Sequence, residues 1–201
     1  METVLDALMG SLQSSGGIGQ MSQSLGVGEG DVTKVLSGAL PAMLGGLTRN
    51  AASPEGASGL LAALDRDHDG SIMDDLAGFL ATAGAAAAGS GILRHTFGDK
   101  QGQVESALSR STGVDQGSVG QILAMAAPMV LAYLGRQRRE QNLDAAGLAS
   151  MLNREQQVAQ ERSPDAIGML NRMLDTDNDG TIMDEMAEMG TSLLGSLFKQ
   201  S

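Results

Sequence analysis

Two short segments hold ten of the chain's 24 acidic residues. The first reads Asp65-Arg66-Asp67-His68-Asp69-Gly70-Ser71-Ile72-Met73-Asp74-Asp75. The second reads Asp175-Thr176-Asp177-Asn178-Asp179-Gly180-Thr181-Ile182-Met183-Asp184-Glu185. Both spell D-x-D-x-D-G-x-I, the first eight positions of an EF-hand calcium loop. Calcium is a hard cation that takes six to eight oxygen ligands. Carboxylates at positions 1, 3 and 5 (Asp65, Asp67 and Asp69; Asp175, Asp177 and Asp179) converge on one centre when the chain curls. The glycine at position 6 permits the sharp turn, and position 7, Ser71 or Thr181, offers its backbone carbonyl. Position 12, ordinarily a bidentate Glu, is Leu76 or Met186. The closing carboxylate is therefore expected from position 10 (Asp74, Asp184) or position 11 (Asp75, Glu185). Ser71-x-x-Asp74 and Thr181-x-x-Asp184 also read as capping boxes, which would leave position 10 capping the exiting helix and position 11 closing the ion site. Two loops predict about two calcium ions. Magnesium, which gives up its waters reluctantly, suits them less well.

Loops of this kind need a helix before and after them, and the composition supplies helices. Of 201 residues 42% are hydrophobic but only 2% aromatic, so a β-rich core is disfavoured and an Ala/Leu/Met/Gly core of close-packed helices is expected. The absence of Cys excludes disulfides, thiolate nucleophiles and Cys-ligated metal centres. The net charge of −11 argues against a phosphate-binding surface and hence against nucleic acid. Outside the two loops the remaining 14 acids nearly balance the 13 Lys and Arg, so the acidity marks places, not a general surface.

The chain also repeats itself. Residues 21–47 and 108–134 are identical at 11 of 27 positions at an offset of 87, with Pro41 matching Pro128. Residues 65–80 and 175–190 are identical at 8 of 16 at an offset of 110. This predicts an all-α fold of two related halves. Residues 1–90 form the first repeat with its loop at 65–75. Residues 91–201 form the second, with an insert at about 135–163 and its loop at 175–185. The spacing predicts a short helix over 18–25 closed at Gly26. It predicts long helices over 31–47 and 118–134, each kinked at its proline. Ser53-Pro54-Glu55 and Ser163-Pro164-Asp165 read as helix starts. Those helices should run to Leu64 and Leu174, with new ones leaving at about Ile72 and Ile182. Residues 83–90 read as a hinge or a thin close-packed helix.

Other features carry less. Met43, Met73, Met125, Met129, Met151, Met169, Met173, Met183, Met186 and Met189 read as core filling, with a Met-lined groove opened by calcium as the alternative. Arg136, Arg138 and Arg139 end a long helix, where cations suit the dipole. No nucleophile triad or phosphate loop can be assembled, so the chain is read as a non-enzyme. Residues 76–93 and 116–135 are uncharged but interrupted by Gly or Pro, and they read as buried helices, not membrane spans. The first ten residues lack the basic start of a secretory signal, which points to the cytoplasm. Residues 186–198 either leave an apolar surface for a homo-oligomeric or protein-partner contact or fold back on the core.

The pattern resembles the YidB-like family, a bacterial domain of unknown function. The resemblance is carried by residues 40–47 (LPAMLGGL), 50–56 (NAASPEG), 67–75 (DHDGSIMDD), 91–98 (GILRHTFG) and 143–152 (LDAAGLASML). It implies a multihelical fold and supplies no catalytic residue. Its homeodomain-like aspect implies a DNA-associated helical protein as the alternative to a calcium-binding one.

Overall fold

Thr3 opens the first helix through a reciprocal cap. Its hydroxyl accepts the Asp6 N–H at 3.1 Å, and the Asp6 carboxylate accepts the Thr3 N–H at 3.2 Å. The computed structural model describes residues 3–67, 70–82 and 84–162. Among these every regular element is helical: α1 Val4–Ser14, α2 Gly17–Leu25, α3 Glu29–Asn50, α4 Pro54–Asp67, α5 Leu76–Leu80, α6 Ala85–Phe97, α7 Gln101–Thr112, α8 Gln116–Gln141 and α9 Ala145–Arg162. Short 3-10 turns at Ser71–Asp74 and Gly98–Lys100 join α4 to α5 and α6 to α7. The fold is all-α, as the composition requires.

Punctuation falls where the residue types place it. Gly26 closes α2 and Gly113 closes α7, both in the left-handed region at φ 68 and φ 76, where a side chain would be strained. Ser53 Oγ accepts the Gly56 N–H at 3.1 Å to start α4 at Pro54. The predicted stripe on α3 (Val32, Val35, Leu36, Ala39, Leu40, Met43, Leu44, Leu47) is buried throughout. Met125, Met129 and Met151 join Met43 in the core.

The core is organised around α8. Its residues 122–132 are buried without interruption, so the helix is covered on all sides. By length and composition it could cross a membrane, yet 72% of its most apolar window is packed inside the protein. α6 lies most extensively against it, and α3 also packs on it. The contact with α6 depends on Gly89, because a Cβ there would run into the Ala124 carbonyl. Pro128 explains why that carbonyl is available: having no N–H, it leaves the oxygen four residues back without its helical partner. The stretch read as a hinge or a thin helix is thus the start of a close-packed helix. Gly46 does the same for α3 against α6, where a Cβ would sit 2.6 Å from the Thr96 methyl.

α3 and α8 each run through their proline as one helix. The boundary expected between residues 90 and 91 falls inside α6, and one apolar core is continuous across it. The insert after residue 135 extends α8 and then forms α9. α9 is tied in by Glu155, which accepts the Val4 N–H at 2.8 Å, and by Thr48, whose hydroxyl donates to the Leu44 carbonyl at 2.8 Å and lies 3.4 Å from the Leu152 carbonyl.

Candidate metal centre

The first acidic loop leaves α4, turns at Gly70 and enters the 3-10 turn Ser71–Asp74 before α5. Gly70 has φ 89, the left-handed conformation that position 6 of the motif demands. It also lies against α8. A Cβ on it would come within 3.1 Å of the Arg136 Cβ and 3.2 Å of the Ala132 carbonyl oxygen. Two requirements, backbone sign and close approach, therefore both select glycine.

Two expectations need correction. The entering helix does not stop at Leu64: α4 continues through Asp67, so positions 1 and 3 lie on helical backbone. The exiting helix does not begin at Ile72 either, because the 3-10 turn intervenes and α5 is only five residues long. The sequence leaves positions 10 and 11 as alternatives for the cap. Position 11 is the cap: Asp75 Oδ1 accepts the Gly78 N–H at 2.9 Å. Position 10, Asp74, instead pairs with Arg136.

That pairing is part of a clamp. Arg136 Nη2 donates to Asp74 Oδ1 at 2.7 Å, and Arg138 Nη1 lies 2.9 Å from Asp65 Oδ1. Both arginines come from the last turns of α8. Asp74 is 68% exposed and Asp65 45%, so each pair is modest in energy. Arg138 is the more enclosed, and its Nε is buried without a hydrogen-bond partner among the described residues. The sequence displayed the basic run and its place at a helix end. It carried no sign that the run meets a loop more than 60 residues earlier.

Of the predicted ligands, Asp65, Ser71, Asp74 and Asp75 are thus placed, and Asp67 ends α4. Asp69 and the whole second set (Asp175, Asp177, Asp179, Thr181, Asp184, Glu185) lie outside the described residues. Among the described residues no three acidic or His side chains converge as a metal site would require.

What the fold defines is a helical domain wrapped around one buried helix, with an acidic loop held at that helix's C-terminal end. The chain belongs to the family described as bacterial protein of unknown function (DUF937), which matches residues 6–137. The match includes most of α1, all of α2 to α7, most of α8 and the 65–75 loop, and it ends before α9 and the 175–185 segment. No curated protein and no solved structure matches the chain.

Proposed function

We propose that this protein is a non-enzymatic calcium binder whose two acidic loops each take one ion, so that calcium stabilises the helical arrangement and promotes self-association or contact with a protein partner. The observation that carries the reading is Gly70. It takes the left-handed turn that a D-x-D-x-D-G loop needs, between a helix and a helical turn. The second copy of the motif at 175–185 adds support, because a chance acidic turn has no reason to recur with its Ile-Met-Asp-acid ending. On this reading Arg136 and Arg138 hold the first loop between ions. Binding draws Asp65 off Arg138 and unwinds the last turn of α4, so that positions 1, 3 and 5 can converge.

We also infer that the chain arose by internal duplication and is a YidB-like protein. Support for duplication comes from matched geometry. Ser22 donates to the Val27 carbonyl at 2.6 Å, and Ser109 donates to the Val114 carbonyl at 2.6 Å, 87 residues later.

The test is calorimetric titration with calcium after chelator treatment, with magnesium as control. The native chain should take up about two ions. Asp175→Ala should take up about one, and Asp65→Ala with Asp175→Ala none. Absence of any calcium heat in the native chain overturns the proposal.

A further inference from the structure

A concavity opens beside the entering helix of the acidic loop and reaches Arg66, the residue between Asp65 and Asp67. It is a groove of about 630 Å³ between α4 and α6, floored by Leu47 of α3 and Leu131 of α8. Its walls are the successive turns of two helices. α4 contributes Leu60 and Ala63, α6 contributes Ala88 and Ile92. The charged or ionisable residues lining it are Arg66 and His95, and no carboxylate lines it.

Two glycines on these walls are unexplained by the fold itself. Gly59 and Gly91 sit inside α4 and α6 and are exposed, and a Cβ on either would meet nothing within 4 Å. A glycine inside a helix costs about 1 kcal/mol relative to alanine. Gly56, by contrast, is required, because a Cβ there would strike the Asn50 carbonyl. Other exposed helix glycines also lack a neighbour. What sets Gly59 and Gly91 apart is that they flank one apolar groove, where a missing Cβ lets another backbone approach.

We propose that this groove is the docking site of the chain's own residues 186–198. Three observations select that occupant. First, its apolar side chains Met186, Met189, Leu193, Leu194, Leu197 and Phe198 fall on one side of a 3.6-residue period, as groove insertion requires. Second, the chain can reach. α9, which ends at Arg162, packs on α4, the helix forming one wall. The 23 residues between Arg162 and Met186 can span up to about 75 Å at about 3.3 Å each. Third, the charges agree. Glu188 lies within the apolar run, and the groove is lined by Arg66 and by no carboxylate.

The chain has no cysteine, so an introduced pair can form only one intramolecular disulfide. The full-length protein carrying Ala63→Cys and Leu194→Cys is oxidised mildly beside a control carrying Ser37→Cys and Leu194→Cys. Ser37 is exposed on α3, ten residues and about 15 Å of helix before Leu47. The proposal expects a monomeric, internally linked product that forms at least tenfold faster in the first protein. Equal rates overturn it. A dimer-mass product as the main species also overturns it, and assigns the groove to a second copy. A separate readout uses Ala88→Cys bearing a solvent-sensitive dye. Leu194→Asp with Leu197→Asp should shift its emission toward the solvent-exposed value, and an unmoved emission overturns the proposal.

Discussion

The pair α2–α3 and the pair α7–α8 close their first helix in the same way and part company at the far end of the second. Each short helix ends on a left-handed glycine, Gly26 or Gly113, with the same serine-to-carbonyl bond across it. Each long helix then begins from an extended residue, Gly28 or Asp115. Beyond the shared proline the neighbours differ. In α3 the next turns carry Gly46, which lets α6 come close. In α8 the aligned position is Tyr133, and the helix continues to Gln141, carrying the arginines that hold the acidic loop. Arg49 aligns with Arg136, but α3 stops one residue later at Asn50. Local hydrogen-bond rules preserve the start of each pair. Tertiary neighbours decide what each end is for.

The largest expected effect lies at Gly46. Gly46→Ala should lower stability by about 3 kcal/mol, because the new methyl meets Thr96 and its backbone within a packed core. The aligned position of the other helix already carries the much larger Tyr133. Denaturant unfolding measures the loss, and a change under about 0.5 kcal/mol would remove the steric account of the asymmetry.

Ser22→Ala and Ser109→Ala come next. Each should cost about 1 kcal/mol, the net worth of one hydrogen bond, and the two losses should agree within about 0.5 kcal/mol. A neutral result at one site alone would break the equivalence of the two closures. Arg138→Ala should cost about 1 kcal/mol or less, since the ion pair with Asp65 is partly solvated. On the calcium reading the same change raises first-loop affinity about fivefold, which is that energy at 1.4 kcal/mol per tenfold. Calorimetry of the chain with the second loop disabled by Asp175→Ala isolates the effect, and an unchanged affinity would show that the clamp does not compete with the ion.

The smallest effects concern the caps. The Ser118 hydroxyl and the Ser118 N–H, the latter at 2.9 Å from Oδ1, hold the Asp115 carboxyl below its usual range. A depressed acid stabilises the fold fully above the ordinary carboxylate range, and the contribution is lost as pH falls through its lowered pKa. The melting difference between the native chain and Asp115→Ala should therefore persist at neutral pH and close in strong acid. Gly28, its counterpart, has no side-chain cap and lies at φ −67, which any residue adopts. Gly28→Ser should add a few tenths of a kcal/mol, read as a small rise in melting midpoint.

Much was legible in the residue order because its rules are local. A composition poor in aromatic and β-branched side chains, the stripe from Val32 to Leu47, Ser53-Pro54 and the glycines that end α2 and α7 place the starts of α2, α3, α4 and α8 within two residues, while α3 runs three residues and α8 seven past their expected ends. The recurrent D-x-D-x-D-G spacing marked the loop and its Gly70 turn. The tertiary structure decided the rest. α4 runs on to Asp67, although the motif alone would end it earlier. Whether Asp74 or Asp75 caps depends on a 3-10 turn that the capping-box pattern does not announce. Arg136 and Arg138 meet Asp74 and Asp65 only because α8 crosses beneath a loop more than 60 residues away in sequence. Spacing along a chain fixes which groups share a helix face, since that geometry repeats every few residues. Which charges meet across helices depends on how whole apolar faces pack, and no short stretch of sequence contains that information.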